Sequence, residues 1–209
     1  WIGPAYPEFR QPVVGTYAYH TLLHELGHAL GLNHPHHADP AAPAEPGEDQ
    51  LKYSVMSYRD FAGASAFTGY ATDAFPVGPM LNDILAIQFL YGANLNWHAG
   101  NNIYQWQPGQ VVFETVWDAG GRDTLSAEGQ TQGCLLNLNS GEWSEIGSLF
   151  FNGGGYVRDC LTIAYGSVIE NAVGSAFGDW LIGNAADNVL DGGAGVDLMA
   201  GGNGNDTYR

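Results

Sequence analysis

Apolar residues recur near the 3.6-residue period in "TYAYHTLLHELGHAL", residues 16–30, at Leu22, Leu23, Leu26, Ala29 and Leu30. That spacing predicts an α-helix of about 12–15 residues, with Gly31 as its stop. "HHADPAAPAEPGEDQ", residues 36–50, is too rich in Pro, Ala and acidic residues to pack and reads as a loop. Helical spacing returns in "MLNDILAIQFLYG" at Leu81, Ile84, Leu85, Gln88 and Phe89, with Gly92 ending the run. From residue 95 to about 170 the texture changes. Short apolar runs ("QVVFETVW", "CLLNLN", "LTIAYG") lie between Gly, Asn and Ser clusters and predict short strands and turns.

From Gly174 the chain repeats every nine residues: "GSAFGDWLI", "GNAADNVLD", "GGAGVDLMA", "GGNGNDTYR". The last two units fit the calcium-binding nonapeptide G-G-x-G-x-D-x-U-x at every fixed position. The first keeps its Asp at Asp179, and the second carries Asn188 in that slot. The eighth position holds Leu181, Leu190, Met199 and Tyr208, a regular apolar line that gives a winding its core. Nine residues make half a turn of such a roll, so residues 18 apart stack, Asp179 on Asp197 and Asn188 on Asp206. Asp197 and Asp206, with Gly192, Gly193, Gly195, Gly201, Gly202 and Gly204 and with Asp179 above, are therefore expected to enclose Ca²⁺ with carboxylate and carbonyl oxygens.

The first helix carries His24-Glu25-x-x-His28, and the pattern continues through Gly31 to His34. Two histidines four apart share a helix face, roughly 6 Å apart along the axis, so both imidazoles can reach one zinc ion. A third ligand at His34 requires the chain to turn, and Gly31 supplies the left-handed conformation for it. Glu25 stands beside that face as the general base for a zinc-activated water. His20 also lies four residues from His24, but three His and a water complete a catalytic zinc site, so His20 reads as a packing or supporting residue. His36 and His37 fall in the polar loop and read as solvated side chains or adventitious metal binders.

Charge sharpens this picture. With 22 Asp and Glu against 6 Lys and Arg, the formal net charge of -16 leaves no basic face for nucleic acid and suits the capture of hard cations. No apolar run reaches the roughly 20 residues of a membrane span. Cys134 and Cys160, the only two cysteines, are compatible with one disulfide or with two small buried thiols.

On these motifs the chain resembles the metzincins and, among them, the serralysin family of secreted bacterial zinc endopeptidases. Pro35 directly follows the third His as in serralysins, where the similar astacins place an acidic residue. "SVMSY", residues 54–58, resembles the family's Met-turn, and "LNDILAIQFLYGAN" the helix after it. "VWDAGGRDTL" and "SVIENAVGSAFGDW" resemble the approach to its calcium-binding β-roll. The resemblance implies an α+β fold: residues 1–94 as the C-terminal portion of a zincin-like catalytic domain, and 95–209 as an all-β region (β-sandwich and parallel β-roll) whose nonapeptides span 174–209. It implies one zinc on His24, His28 and His34, with Tyr58 as a further ligand that swings away to stabilise the oxyanion. Met56 would floor the site. Several calcium ions are implied, with upstream ligands Asp118, Gly120, Gly121, Asp123 and Glu170. His98, Gly100 and Asn102 match more loosely, His98 and Asn102 standing where the family has Arg and Thr. The implied activity is extracellular hydrolysis of protein or peptide substrates. The competing reading is a calcium-stabilised binding or structural module, or an inactive fragment, that keeps the zinc site. Only about 23 residues precede His24, and the roll stops inside its repeat at Arg209. The expectation is therefore a fragment, with the missing N-terminal segment as a candidate partner chain.

Overall fold

In this computed structural model, residues 7–37, 45, 47–65 and 72–209 are described. The chain divides into two units, Trp1–Tyr91 with Phe150–Val157, and Gly92–Leu149 with Arg158–Arg209. The fold is mostly β with few helices.

The first unit holds helix α1 (Tyr17–Ala29) and helix α2 (Leu81–Tyr91). Gly31 ends α1 as its position demands: its φ is 92°, and the Leu32 N–H folds back onto the Gly27 carbonyl at 3.0 Å. The period of the leucines gave the helix but not its buried side. Leu22 and Leu26 are exposed, while Ala18, His20, His24 and Gly27 face inward. Small residues and imidazoles allow a closer approach than leucines would. A Cβ on Gly27 would overlap Met56 Sδ, so a larger residue there would push the buried Met56 side chain aside. In α2 Leu81 and Asp83 are buried, whereas Leu85 and Phe89 are exposed. Leu51, Met56, Met80 and Leu81 form the fully buried centre. A hairpin of β6 (Phe150–Phe151) and β7 (Tyr156–Val157) completes this unit. The Asp73 N–H donates to the Phe151 carbonyl at 3.0 Å, and the Phe151 N–H to Asp73 Oδ1 at 2.9 Å.

The second unit is all strand and turn. Five parallel strands form one sheet in the order β1 (Ile103–Gln105), β3 (Thr124–Ser126), β9 (Asn171–Val173), β11 (Val189–Asp191), β13 (Thr207–Tyr208). Three more run parallel as β12 (Leu198–Ala200), β10 (Trp180–Ile182) and β4 (Leu135–Asn137). A mixed sheet joins β2 (Glu114–Val116), β8 (Leu161–Ile163) and β5 (Trp143–Ser144). Val189 pairs with Thr207 and Trp180 with Leu198, the 18-residue stacking that the repeat predicts. The middle residue of most strands points inward, so Leu125, Leu136, Ala172, Leu181 and Leu190 are fully buried. Parallel stacking begins at β1, well before the repeat becomes visible in the sequence. Cys134 and Cys160 are buried thiols, not a disulfide.

Candidate functional site

Three imidazoles meet at the end of α1. His24 Nε2 lies 3.1 Å and His28 Nε2 3.0 Å from His34 Nε2. The other ring nitrogens are committed elsewhere. His24 Nδ1–H donates to the Val55 carbonyl at 2.8 Å, and His28 Nδ1–H to the Leu32 carbonyl at 3.0 Å. Those bonds fix the tautomers, so both rings turn a bare Nε2 lone pair toward the same point. Unprotonated nitrogens this close repel unless a cation lies between them. The spacing is near the ligand–ligand edge of a tetrahedral site with bonds of about 2.0–2.1 Å. His24, His28 and His34 are the group of the described residues with the geometry to hold a metal ion. Burial lowers the His24 pKa and keeps the ring neutral, as a ligand must be.

His20 is 1 % exposed and stacks on Phe75 with ring centroids 5.3 Å apart. Burial, then the neighbouring His24, lowers its pKa to about 3, which suits a neutral packing residue. Glu25 is exposed on the helix directly beside His24. Tyr58 lies against the ligands, its ring 4.4 Å from that of His34 and stacked at 18° on that of His24. Met56 is 1 % exposed, under Gly27.

Sequence reasoning missed the supports of this site. Asp83 accepts from Ser54 Oγ at 2.6 Å, the Val55 N–H at 2.8 Å and the Met80 N–H at 2.9 Å. A chain of bonds thus runs from α2 through Val55 to the His24 ring. The available signal was an acidic residue three positions into a helix otherwise full of apolar residues. His36 is not a solvated loop residue: its ring stacks on His34 at 5.1 Å and 7°, with a side chain only 10 % exposed. His37 lies at the edge of the described residues, and its side chain is not described.

In the second unit, the acidic residues Asp123, Glu170, Asp197 and Asp206, each just before a strand, reach toward the coil before them. The Asn102 N–H donates to Asp123 Oδ1 at 2.7 Å, and the Asp123 N–H to Glu170 Oε2 at 2.8 Å. The Asp179 N–H donates to Asp197 Oδ1 at 2.9 Å, and the Asn188 N–H to Asp206 Oδ1 at 3.0 Å. Asp118 takes the Gly120 N–H at 2.7 Å and the Tyr104 hydroxyl at 2.5 Å, and His98 Nδ1–H donates to that hydroxyl at 2.8 Å. Among the described residues, Asp123 Oδ2 is buried without a hydrogen-bond partner. Burial, with Asp118 and Glu170 nearby, pushes Asp123 up to about 6. Gly121 faces the Gly100 carbonyl closely enough to exclude a Cβ, so carbonyl and carboxylate oxygens crowd together here. This donor set fits a hard cation. Asn102 packs its side chain 2.5 Å from the Gly100 carbonyl oxygen and 3.0 Å from that of His98, with its amide donating.

The repeat units differ among themselves. Asp179 Oδ1 takes the Cys134 N–H at 2.6 Å and Oδ2 the Ser175 N–H at 2.6 Å, while Ser175 Oγ lies 3.0 Å from Oδ2. Protein donors therefore occupy the Asp179 carboxylate. Asn188 is held likewise, by the Asn184 N–H at 2.9 Å and the Glu170 carbonyl at 3.0 Å. The first glycine of every unit (Gly174, Gly183, Gly192, Gly201) lies against that unit's own Asp or Asn side chain, and the units differ at the next position, Ser175 and Asn184 in the first two against Gly193 and Gly202 in the last two. Gly193, Gly195, Gly202 and Gly204 hold positive φ there.

Residues 84–209 match the model for the peptidase M10 serralysin C-terminal family. Metallopeptidase AprA of Pseudomonas marginalis is 40 % identical over 206 residues, covering 89 % of this chain and 41 % of that protein. Serralysin of Proteus mirabilis is 36 % identical over 199 residues, 86 % of this chain and 38 % of the relative. Serralysin G of Dickeya chrysanthemi is 35 % identical over 218 residues, 91 % and 42 %. The chain spans about two fifths of the length of these curated relatives.

Proposed function

This chain belongs to the serralysin family of M10 peptidases, and on that premise we propose that it is part of a zinc-dependent endopeptidase with a zincin-like catalytic half in residues 1–94 and a calcium-binding β-region in 95–209. The convergence of His24, His28 and His34 Nε2 at 3.0–3.1 Å carries the reading. Those three side chains would hold the zinc, with Tyr58 as a further ligand. When bound, zinc supplies a Lewis acid that polarises the scissile carbonyl and acidifies water.

The chain's own residues supply the rest. Glu25 takes the proton of the attacking water and passes it to the leaving amine. The Tyr58 phenol donates to the developing oxyanion. His24 and His28 are oriented by the Val55 and Leu32 carbonyls, and Met56 closes the floor. Calcium would be held at Asp118, Asp123 and Glu170 with the Gly120 and Gly121 turn, and at Asp197 and Asp206 with their glycines. We propose Asp179 as the exception, a structural acceptor. The substrates are extracellular proteins or peptides, and the protein acts outside the cell, where calcium is plentiful. No helix among the described residues is long and apolar enough to cross a membrane.

In the full-length protein, Glu25→Gln should lower kcat on a peptide by about 100-fold or more, with zinc content unchanged. Parent-rate cleavage by this variant would end the assignment of Glu25. Zinc binding without any cleavage by the unmodified protein would favour the calcium-stabilised module.

A further inference from the structure

The segment that carries Tyr58 is held from a place no motif marks. Asp49, at the end of the acidic stretch before the Met-turn, accepts from Ser57 Oγ at 2.7 Å with its Oδ1. Its Oδ2 lies 2.9 Å from Arg59 Nε, an ion pair without hydrogen-bond alignment. Ser57 and Arg59 flank Tyr58, so a single carboxylate grips the chain on both sides of the phenol. The ring of contacts closes on itself. Ser57 Oγ accepts the Arg59 N–H at 3.1 Å, and the Leu51 N–H donates to the Arg59 carbonyl at 2.8 Å. On its outer side Asp49 Oδ1 lies 3.8 Å from His36 Nδ1. His36 stacks on His34 and also touches Tyr58, with ring centroids 5.1 Å apart. Tyr58 is thereby enclosed by three imidazole rings, of His24, His34 and His36. The Asp49 side chain is only 13 % exposed, so solvent screens this ion pair less than it would one on the surface.

We propose that Asp49 is the positioning residue for Tyr58. It pins the backbone of residues 57–59, so Tyr58 approaches or leaves the metal by rotating its side chain within a fixed aromatic slot. The inference rests on the proposed metal-binding role of Tyr58 but assigns a residue outside that site. Asp49 is none of the proposed zinc ligands, and its effect passes through the placement of one phenol. Without the clamp, the same rotation starts from a displaced backbone, and a misplacement of this kind is costly in the transition state.

The test uses the full-length protein, loaded with zinc for kinetics and with Cu²⁺ for spectroscopy, since a phenolate bound to Cu²⁺ gives a visible charge-transfer band. In the unmodified copper protein the band should be present, and Tyr58→Phe should abolish it. Asp49→Ala should weaken or shift that band and lower kcat about tenfold, with KM within about twofold and zinc stoichiometry unchanged. Ser57→Ala and Arg59→Gln each remove one arm of the clamp and should give intermediate bands, which keeps the test open if Asp49→Ala does not fold. An unchanged band and kcat in Asp49→Ala, or unchanged bands in both single-arm variants, would overturn the proposal. So would loss of zinc with the clamp, which would make Asp49 a support of the ligands themselves. If the unmodified protein shows no band that Tyr58→Phe removes, the reading of Tyr58 fails instead, and that outcome is distinct.

Discussion

At the scale of single residues, the three converging histidines were legible and the groups that position them were not. His24, His28 and His34 announce themselves because helix geometry and one glycine turn dictate their convergence. Asp49, Asp83 and His36 act across sequence gaps of roughly 10 to 30 residues, and no local period records such contacts. Asp83 illustrates what this hides. Burial raises its pKa to about 6 despite the donors from Ser54, Val55 and Met80. A carboxyl whose folded pKa is raised contributes stability fully present below its unfolded value of 3.8 and lost as pH rises through about 6. Asp83→Asn does not titrate. The stability of the parent relative to Asp83→Asn should therefore grow by up to about 3 kcal/mol as pH falls from about 7 to about 4. Thermal unfolding of the pair across that window checks this, and a constant difference would refute it.

At the scale of elements, periodicity found the helices and the repeat but misjudged which sides are covered. The leucine stripe of α1 predicts a core face, yet Leu22 and Leu26 stay exposed and the histidine side is the packed one. A hydrophobic pattern marks a face able to bury, while burial itself depends on what lies opposite. In the roll, matches to one nonapeptide conceal two kinds of turn. Where Ser175 stands, its N–H and hydroxyl bond Asp179; where Gly193 and Gly202 take that position, it offers no side-chain hydroxyl to Asp197 or Asp206. Asp179→Ala should therefore cost about 3 kcal/mol by stranding the Cys134 and Ser175 N–H groups. It should leave the number of bound calcium ions unchanged, whereas Asp197→Ala should lose one. Equilibrium dialysis beside thermal melts separates the two, and a lost calcium in Asp179→Ala would refute the distinction.

At the scale of the molecule, the acidic surplus becomes intelligible as stacked coils whose turns bring carboxylates together. Chelation should melt the β-region: each site with calcium at about 100 times its Kd contributes about 3 kcal/mol. Far-ultraviolet circular dichroism of the full-length protein with and without chelator measures this, and an unchanged β signal would count against it. The sequence by itself determined the meeting of His24, His28 and His34, the glycine stop of α1 and the stacking of residues 18 apart, because each follows from a period or a backbone conformation encoded within a few residues. Only the tertiary structure decided that parallel stacking starts as early as β1, since Thr124 and Asn171 pair across a stretch of chain, holding strands β4 to β8, too long to leave a repeat. It alone brought Phe150–Val157 into the first unit and set Asp49 astride Tyr58. Those contacts join residues that are distant along the chain, and the closure of the fold, not local preference, chooses them.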